Sequence, residues 1–350
     1  MRHLRTARWD SEMNTGLIPG GGTSWPTSTH SGPFSKTVAV LVMAIGAGLI
    51  AITFFYNLFA VGPAFENLTV DFRPALAQSS IDTARADIES LSAVEKEFTN
   101  KLIPALNQLL VMTPGEFNAY FSQNFPSVAG GMNELPTVVP TFNALIDTLD
   151  SQRTLFASAD TIPTKDLPAT TVPWTFFGAG LLVFLIGFLM LALPKTGAVA
   201  AVLVGLLFLL APFAFSLPTK GADADQLNAN LKPIYTQTLV TDASAAVAVI
   251  EAMGNQMQSA MLPSLATQLK MDSEEFHTFI AINFPATANA LQTMPTSMQR
   301  FKLLVQIFDT NLANFNTLKP VSFIDLILIL IACGALVALL GMLVLLKRRR

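Results

Sequence analysis

The sequence predicts an all-α integral membrane protein in which four transmembrane helices carry two homologous extracytoplasmic helical domains. Three observations predict it. Of the 350 residues, 51% are hydrophobic and only 13% are charged, too apolar for an ordinary soluble chain. Four apolar runs, Val38–Val61, Trp174–Leu193, Ala198–Leu217 and Phe323–Leu346, are long enough to cross a bilayer, which takes about 20 residues. A stretch beginning Asn124-Phe125-Pro126-Ser127-Val128-Ala129 and running to Pro136 returns 159 positions later as Asn283-Phe284-Pro285-Ala286-Thr287-Ala288, running to Pro295. The same offset, without a gap, pairs Pro74 with Pro233, Pro104 with Pro263, Glu116 with Glu275, Phe142 with Phe301 and Phe156 with Phe315. The chain therefore reads as a tandem duplication, span–domain–span repeated. Each copy holds two spans and enters the membrane in the same direction, so the pseudo-twofold axis is expected along the membrane normal.

Charge sets the expected orientation. The tail 1–37, the turn between spans two and three and the basic end 347–350 carry nine Lys and Arg against Asp10 and Glu12. The polar regions 62–172 and 218–320 carry six basic residues each, against 13 and eight acidic ones. A Lys/Arg excess marks the cytoplasmic side, which places both termini inside the plasma membrane and both polar regions outside. Acidic outer domains also make nucleic acid an unlikely partner. The only cysteine, Cys333, lies in span four; two outer domains that lack disulfides favour a bacterial envelope.

The tail, rich in Gly, Ser, Thr and Pro, reads as flexible. Span one contains Gly46-Ala47-Gly48-Leu49-Ile50-Ala51, which matches a dinucleotide fingerprint but lacks the strand–turn–helix setting that the chemistry needs. Small residues here point instead to close helix packing. Gly62-Pro63 is expected to end this helix. A long helix follows from about Pro74 to Met112, with Ile81, Ala84, Ile88, Leu91, Val94, Phe98, Leu102 and Leu106 on one face. All their counterparts, from Val240 to Leu265, are apolar, and Pro104 and Pro263 are places where the helices can kink. Thr113-Pro114-Gly115-Glu116 and Asp272-Ser273-Glu274-Glu275 read as capped helix starts. Each short helix closes at Asn-Phe-Pro, because a residue before proline avoids the helical region. A last helix runs from about Pro136 to Phe156. Pro194-Lys195-Thr196-Gly197 forms a tight turn between spans two and three. Gly197, Ala201 and Gly205 stripe span three, with Gly334 and Ala338 on span four.

Candidate functional positions are the two corners, Asn124, Phe125, Pro126 and Asn283, Phe284, Pro285, together with Asp325. The asparagines suit helix ends; the phenylalanines suit core packing or an aromatic grip on a ligand. Asp325 is the only carboxylate within a span, near its outer start, and Asn57 is its one plausible polar companion. Met253, Met257 and Met261 fall where the first copy has Val94, Phe98 and Leu102, so bulk is required there, not sulfur. Scattered His3, His30 and His277 make no metal constellation, and no nucleophile elbow or phosphate loop occurs. No cofactor is expected. The sequence supports a non-enzymatic membrane protein of the envelope, a binding or scaffold protein or accessory subunit. Its expected partners are membrane lipids, lipid-like ligands and another protein or a second copy. The alternative is a channel or transporter of two parallel repeats.

Overall fold

The computed structural model describes residues 33–347; the flexible tail expected over 1–37 lies outside them, except for residues 33–37, which are helical instead and open the first span. Nearly all of the described residues are helical, and no strand occurs among them beyond an isolated bridge between Thr164 and Leu167. The first half comprises α1 (Pro33–Phe55), α2 (Leu58–Ala75), α3 (Gln78–Glu97), a π-helical turn (Phe98–Leu102), α4 (Ile103–Leu109), α5 (Pro114–Asn124), α6 (Pro126–Ala159) and α7 (Thr171–Ala192). The second comprises α8 (Pro194–Ala214), α9 (Leu217–Leu231), α10 (Gln237–Gln256), a π-helical turn (Met257–Met261), α11 (Leu262–Gln268), α12 (Ser273–Asn283), α13 (Pro285–Leu318) and α14 (Phe323–Lys347). From α3 to α6 every boundary reappears 159 positions later in α10 to α13. So do the left-handed backbone positions, Asn57 with Ser216 and Val111 with Lys270.

Four helices, α1, α7, α8 and α14, are long and apolar enough to cross a membrane. They pack as two tight pairs, α1 on α7 and α8 on α14, and glycine makes the approach possible. A Cβ on Gly46 would lie 2.4 Å from the Phe184 backbone nitrogen, and one on Gly205 would lie 2.4 Å from that of Ala338. Gly180 and Gly334 face Gly46 and Gly205 in return. The Gly46 motif is thus a packing surface. Lys347 sits over the Phe34 ring at 3.9 Å, so the start of α1 and the end of α14 share one end of the bundle.

Several local expectations are corrected. Gly62-Pro63 does not end the first span; both lie inside α2. The break falls at Tyr56-Asn57, where Asn57 adopts φ 49, a left-handed conformation that asparagine tolerates. Gly62 instead gives room for Ala169 and Pro173, which a Cβ would meet at 3.1 Å. The helix expected from Pro74 to Met112 is broken at Leu76-Ala77 and widened into the π-helical turn. That wide turn comes just before Pro104, which lacks the N–H a regular turn would use. Leu193 alone separates α7 from α8, and Pro194 opens the next helix, where its missing N–H costs nothing. For the same reason α6 and α13 start at Pro126 and Pro285, ten residues before Pro136 and Pro295, and run 34 residues each.

The two polar segments interlock. α2 and α3 of the first half pack on α13 of the second, while α9 and α10 pack on α6. One continuous apolar core joins Ile88, Phe98 and Phe142 to Val247, Met257 and Phe301. Tyr235 lies fully buried in it, stacked on Phe315 at 4.6 Å, with its hydroxyl donating to the Phe308 carbonyl at 2.6 Å. Burial, with Asp309 nearby, pushes its phenol well above the ordinary value.

Candidate functional site

The corners lie where α5 meets α6 and α12 meets α13. The 34-residue helices place them about 50 Å along the chain axis from the spans. Phe125 (φ −131, ψ 57) and Phe284 (φ −135, ψ 60) leave the helical region, as the following prolines demand. Pro126 and Pro285 then open the long helices. Asn124 donates through Nδ2 to the Tyr120 carbonyl and Asn283 to that of Phe279, both at 2.8 Å, satisfying carbonyls at the helix ends. Both phenylalanine rings are 4% exposed, which places them in the core.

The free N–H groups that begin α6 and α13 are satisfied from the opposite half. Gln256 Oε1 accepts from Ser127 at 2.7 Å and Val128 at 3.0 Å; Glu97 Oε2 accepts from Thr287 at 2.7 Å. Gln256 stands 159 positions after Glu97, so the two caps are reciprocal. A second reciprocal pair joins Asn311 to Asp71 at 2.8 Å and Asn230 to Gln152 at 2.7 Å. Nothing in the sequence spacing announces these residues, because partners stand up to 240 positions apart. The one local signal is a polar residue set beside a core position, as Glu97 is beside Phe98.

Near the spans, Asp225 accepts from the backbone N–H groups of Phe323 at 2.7 Å and Ile324 at 3.0 Å, and from the Ser322 hydroxyl at 2.9 Å. Glu66, its counterpart, accepts from Ala169 N–H at 2.6 Å just before α7. These carboxylates hold the body-side ends of α14 and α7. Asp325 is exposed in the first turn of α14, and no hydrogen bond or ion pair joins it to Asn57 among the described residues.

The corners differ in filling. At the first, Phe117 and Phe121 stack at 5.3 Å, and Phe121 also meets Phe98 at 5.9 Å and Phe125 at 5.7 Å. At the second, Phe98 and Phe121 are replaced by Met257 and Ile280. A cleft of about 760 Å³ opens beside Phe276 and Ile280, walled by Leu262, Ala288 and Leu291. His277, Gln258 and Gln292 line it too. Among the described residues no group of three His, Cys, Asp or Glu could hold a metal. Apolar and polar residues share its lining, with Thr267, Ser273 and Thr278 beside the apolar wall.

No protein-family model, curated protein or solved structure matches the chain.

Proposed function

We propose that the chain is a non-enzymatic binding protein of the plasma membrane, a scaffold or accessory subunit built by tandem duplication. Its helical body stands outside and both termini lie in the cytoplasm. The cleft beside Phe276 and Ile280 holds a lipid-like ligand. The observation that carries this reading is the cleft of about 760 Å³ at the second corner, lined by Ile280 where the first corner has the Phe121 ring. The coinciding helix boundaries support the duplication. The span pairs favour an anchor over a conduit, because glycine brings their backbones into contact and the buried Thr53 hydroxyl is satisfied by the Leu49 carbonyl at 3.1 Å.

The test is Ile280→Phe, which puts the first corner's ring into the second. Full-length protein extracted from its native membrane should carry a lipid adduct in native mass spectrometry. Ile280→Phe should remove that adduct while leaving the melting temperature unchanged or higher. Equal adducts on both proteins would overturn the cleft as the ligand site.

A further inference from the structure

Both flanks of α3 are sealed by arginine–carboxylate pairs; α10, its counterpart, has an ion pair on its α13 flank alone, Lys302 to Glu251 at 2.5 Å, and none on its α6 flank among the described residues. On one flank Arg300 of α13 donates to Asp87 at 2.8 and 2.6 Å, and the Ser297 hydroxyl donates to the same carboxylate at 2.7 Å. On the other, Arg85 donates to Asp147 at 2.9 Å and Asp150 at 3.4 Å on α6. At α10 the positions of Asp87 and Arg85 hold Ala246 and Ser244, and α6 has Thr141 where α13 has Arg300. With these side chains shortened, a groove of about 480 Å³ lies open between α6 and α10.

Its walls are apolar: Val138, Phe142 and Leu145 from α6 face Ala243, Ala246 and Val249 from α10. Its two carboxylates, Glu134 and Asp242, stand where the sealed side has Thr293 and Thr83. Both are exposed, and neither has a hydrogen-bond or ion-pair partner among the described residues. The change from sealed to open thus removes a neutral Arg–Asp pair and leaves an apolar floor between two unbalanced negative charges. The lining residues Glu134 to Leu145 cover three helical turns, about 17 Å, the length over which a docked helix presents i, i+3, i+4 and i+7 contacts.

We propose that this groove is the docking site of an arginine-bearing amphipathic helix from a partner protein. The helix lays its apolar face on the α6–α10 floor and sets guanidinium groups against Glu134 and Asp242. Charge complementarity selects a cationic occupant over an anionic lipid headgroup. An arginine is chosen because the matching helix pair already houses one, Arg300, in bidentate contact with a carboxylate. The site is separate from the cleft at Phe276 and Ile280, so Ile280→Phe should leave it intact.

The test uses the full chain in an uncharged maltoside detergent. The probe is a dye-labelled 18-residue helical peptide with a Leu/Ala face flanked by two arginines; a control peptide carries glutamates in their place. Anisotropy should show binding of the arginine peptide, weakened about tenfold or more by Glu134→Gln with Asp242→Asn, and no binding of the control. Thr141→Arg with Ala246→Asp transplants the pair from the sealed side and should abolish binding without lowering the melting temperature. Should that variant fold poorly, Ala246→Leu fills the floor and should give the same loss. Equal binding of both peptides, no binding of either, or binding that survives the filled groove overturns the proposal. Binding lost on filling but indifferent to the carboxylates would reduce the site to apolar docking and overturn its arginine recognition.

Discussion

Phe125 and Phe284 mark the limit of what one residue can disclose in the sequence. Their place before proline announces a helix end, yet whether the ring points into a core or a groove depends on partners far along the chain. Both rings are in the core, so Phe125→Ala or Phe284→Ala should cost roughly 3–5 kcal/mol, read as a lower melting temperature of the full chain, with Phe→Leu much milder. Unchanged melting of Phe125→Ala would remove packing as the reason for that residue. Asp325 was the legible carboxylate because it interrupts an apolar run; Asp225, which caps that helix, lay hidden in a polar segment. Asp225→Ala should therefore destabilise by about 0.5–2 kcal/mol, the usual range for a lost cap, and Asp325→Asn should change melting little. The capping boxes were legible because their parts are three residues apart. In the first, the Thr113 backbone N–H and then its hydroxyl donate to Glu116 and hold its carboxyl below its ordinary value. A depressed folded-state value means that the box stabilises above the unfolded value, near 4.5, and that this is lost as pH falls through the folded value. The melting difference between wild type and Glu116→Gln should be full at neutral pH and shrink under acid. A difference that grows with acid would contradict the sign.

Helices and spans were largely legible, since apolar runs and periodicity are local signals, but their breaks were not. Asn57 ends a helix by its backbone conformation and the π-helical turns by the room before a proline, and neither leaves a periodic mark. The correspondence of α7 with α14 was expected from the span–domain–span pattern, but the register between them was missed for a different reason. Gly180 and Gly187 recur at Gly334 and Gly341, 154 positions on instead of 159. The connection into the span is also shorter in the second half, residues 319–322 against 160–170, so the 159-residue offset does not carry through to these spans. Once that shift is allowed, each span pair shows the same contact, Gly46 on Gly180 and Gly205 on Gly334. A leucine at Gly46 or Gly205 would have to displace backbone, whereas a Cβ on Gly48 meets nothing within 4 Å. Gly46→Leu and Gly205→Leu should sharply reduce folded protein recovered from membranes, and Gly48→Leu should not. Equal recovery of all three would show that these contacts do not hold the spans together.

At the scale of the whole molecule, the sequence discloses two similar halves but not how they meet. Amphipathic faces reveal what each helix buries, not against which partner, so the crossing of α2 and α3 onto α13, and of α9 and α10 onto α6, had no signature. That crossing sharpens the test of orientation. Because the segments share one core, reporters placed on each must lie on the same side of the membrane. Ser151 on α6 and Ser244 on α10 are exposed, as is Thr196 at the opposite end of the spans. Ser297 is unsuitable, since it is buried against Asp87. In a Cys333→Ala background, Ser151→Cys and Ser244→Cys should react with an impermeant maleimide in intact cells. Thr196→Cys should react only after permeabilisation, the outcome that the proposed orientation, with the Lys/Arg-rich ends inside, gives. The reverse pattern would invert the orientation and place the body in the cytoplasm. Labelling of only one of the two body sites from outside would break the shared core itself, because α6 and α10 pack directly on each other and no membrane can lie between them.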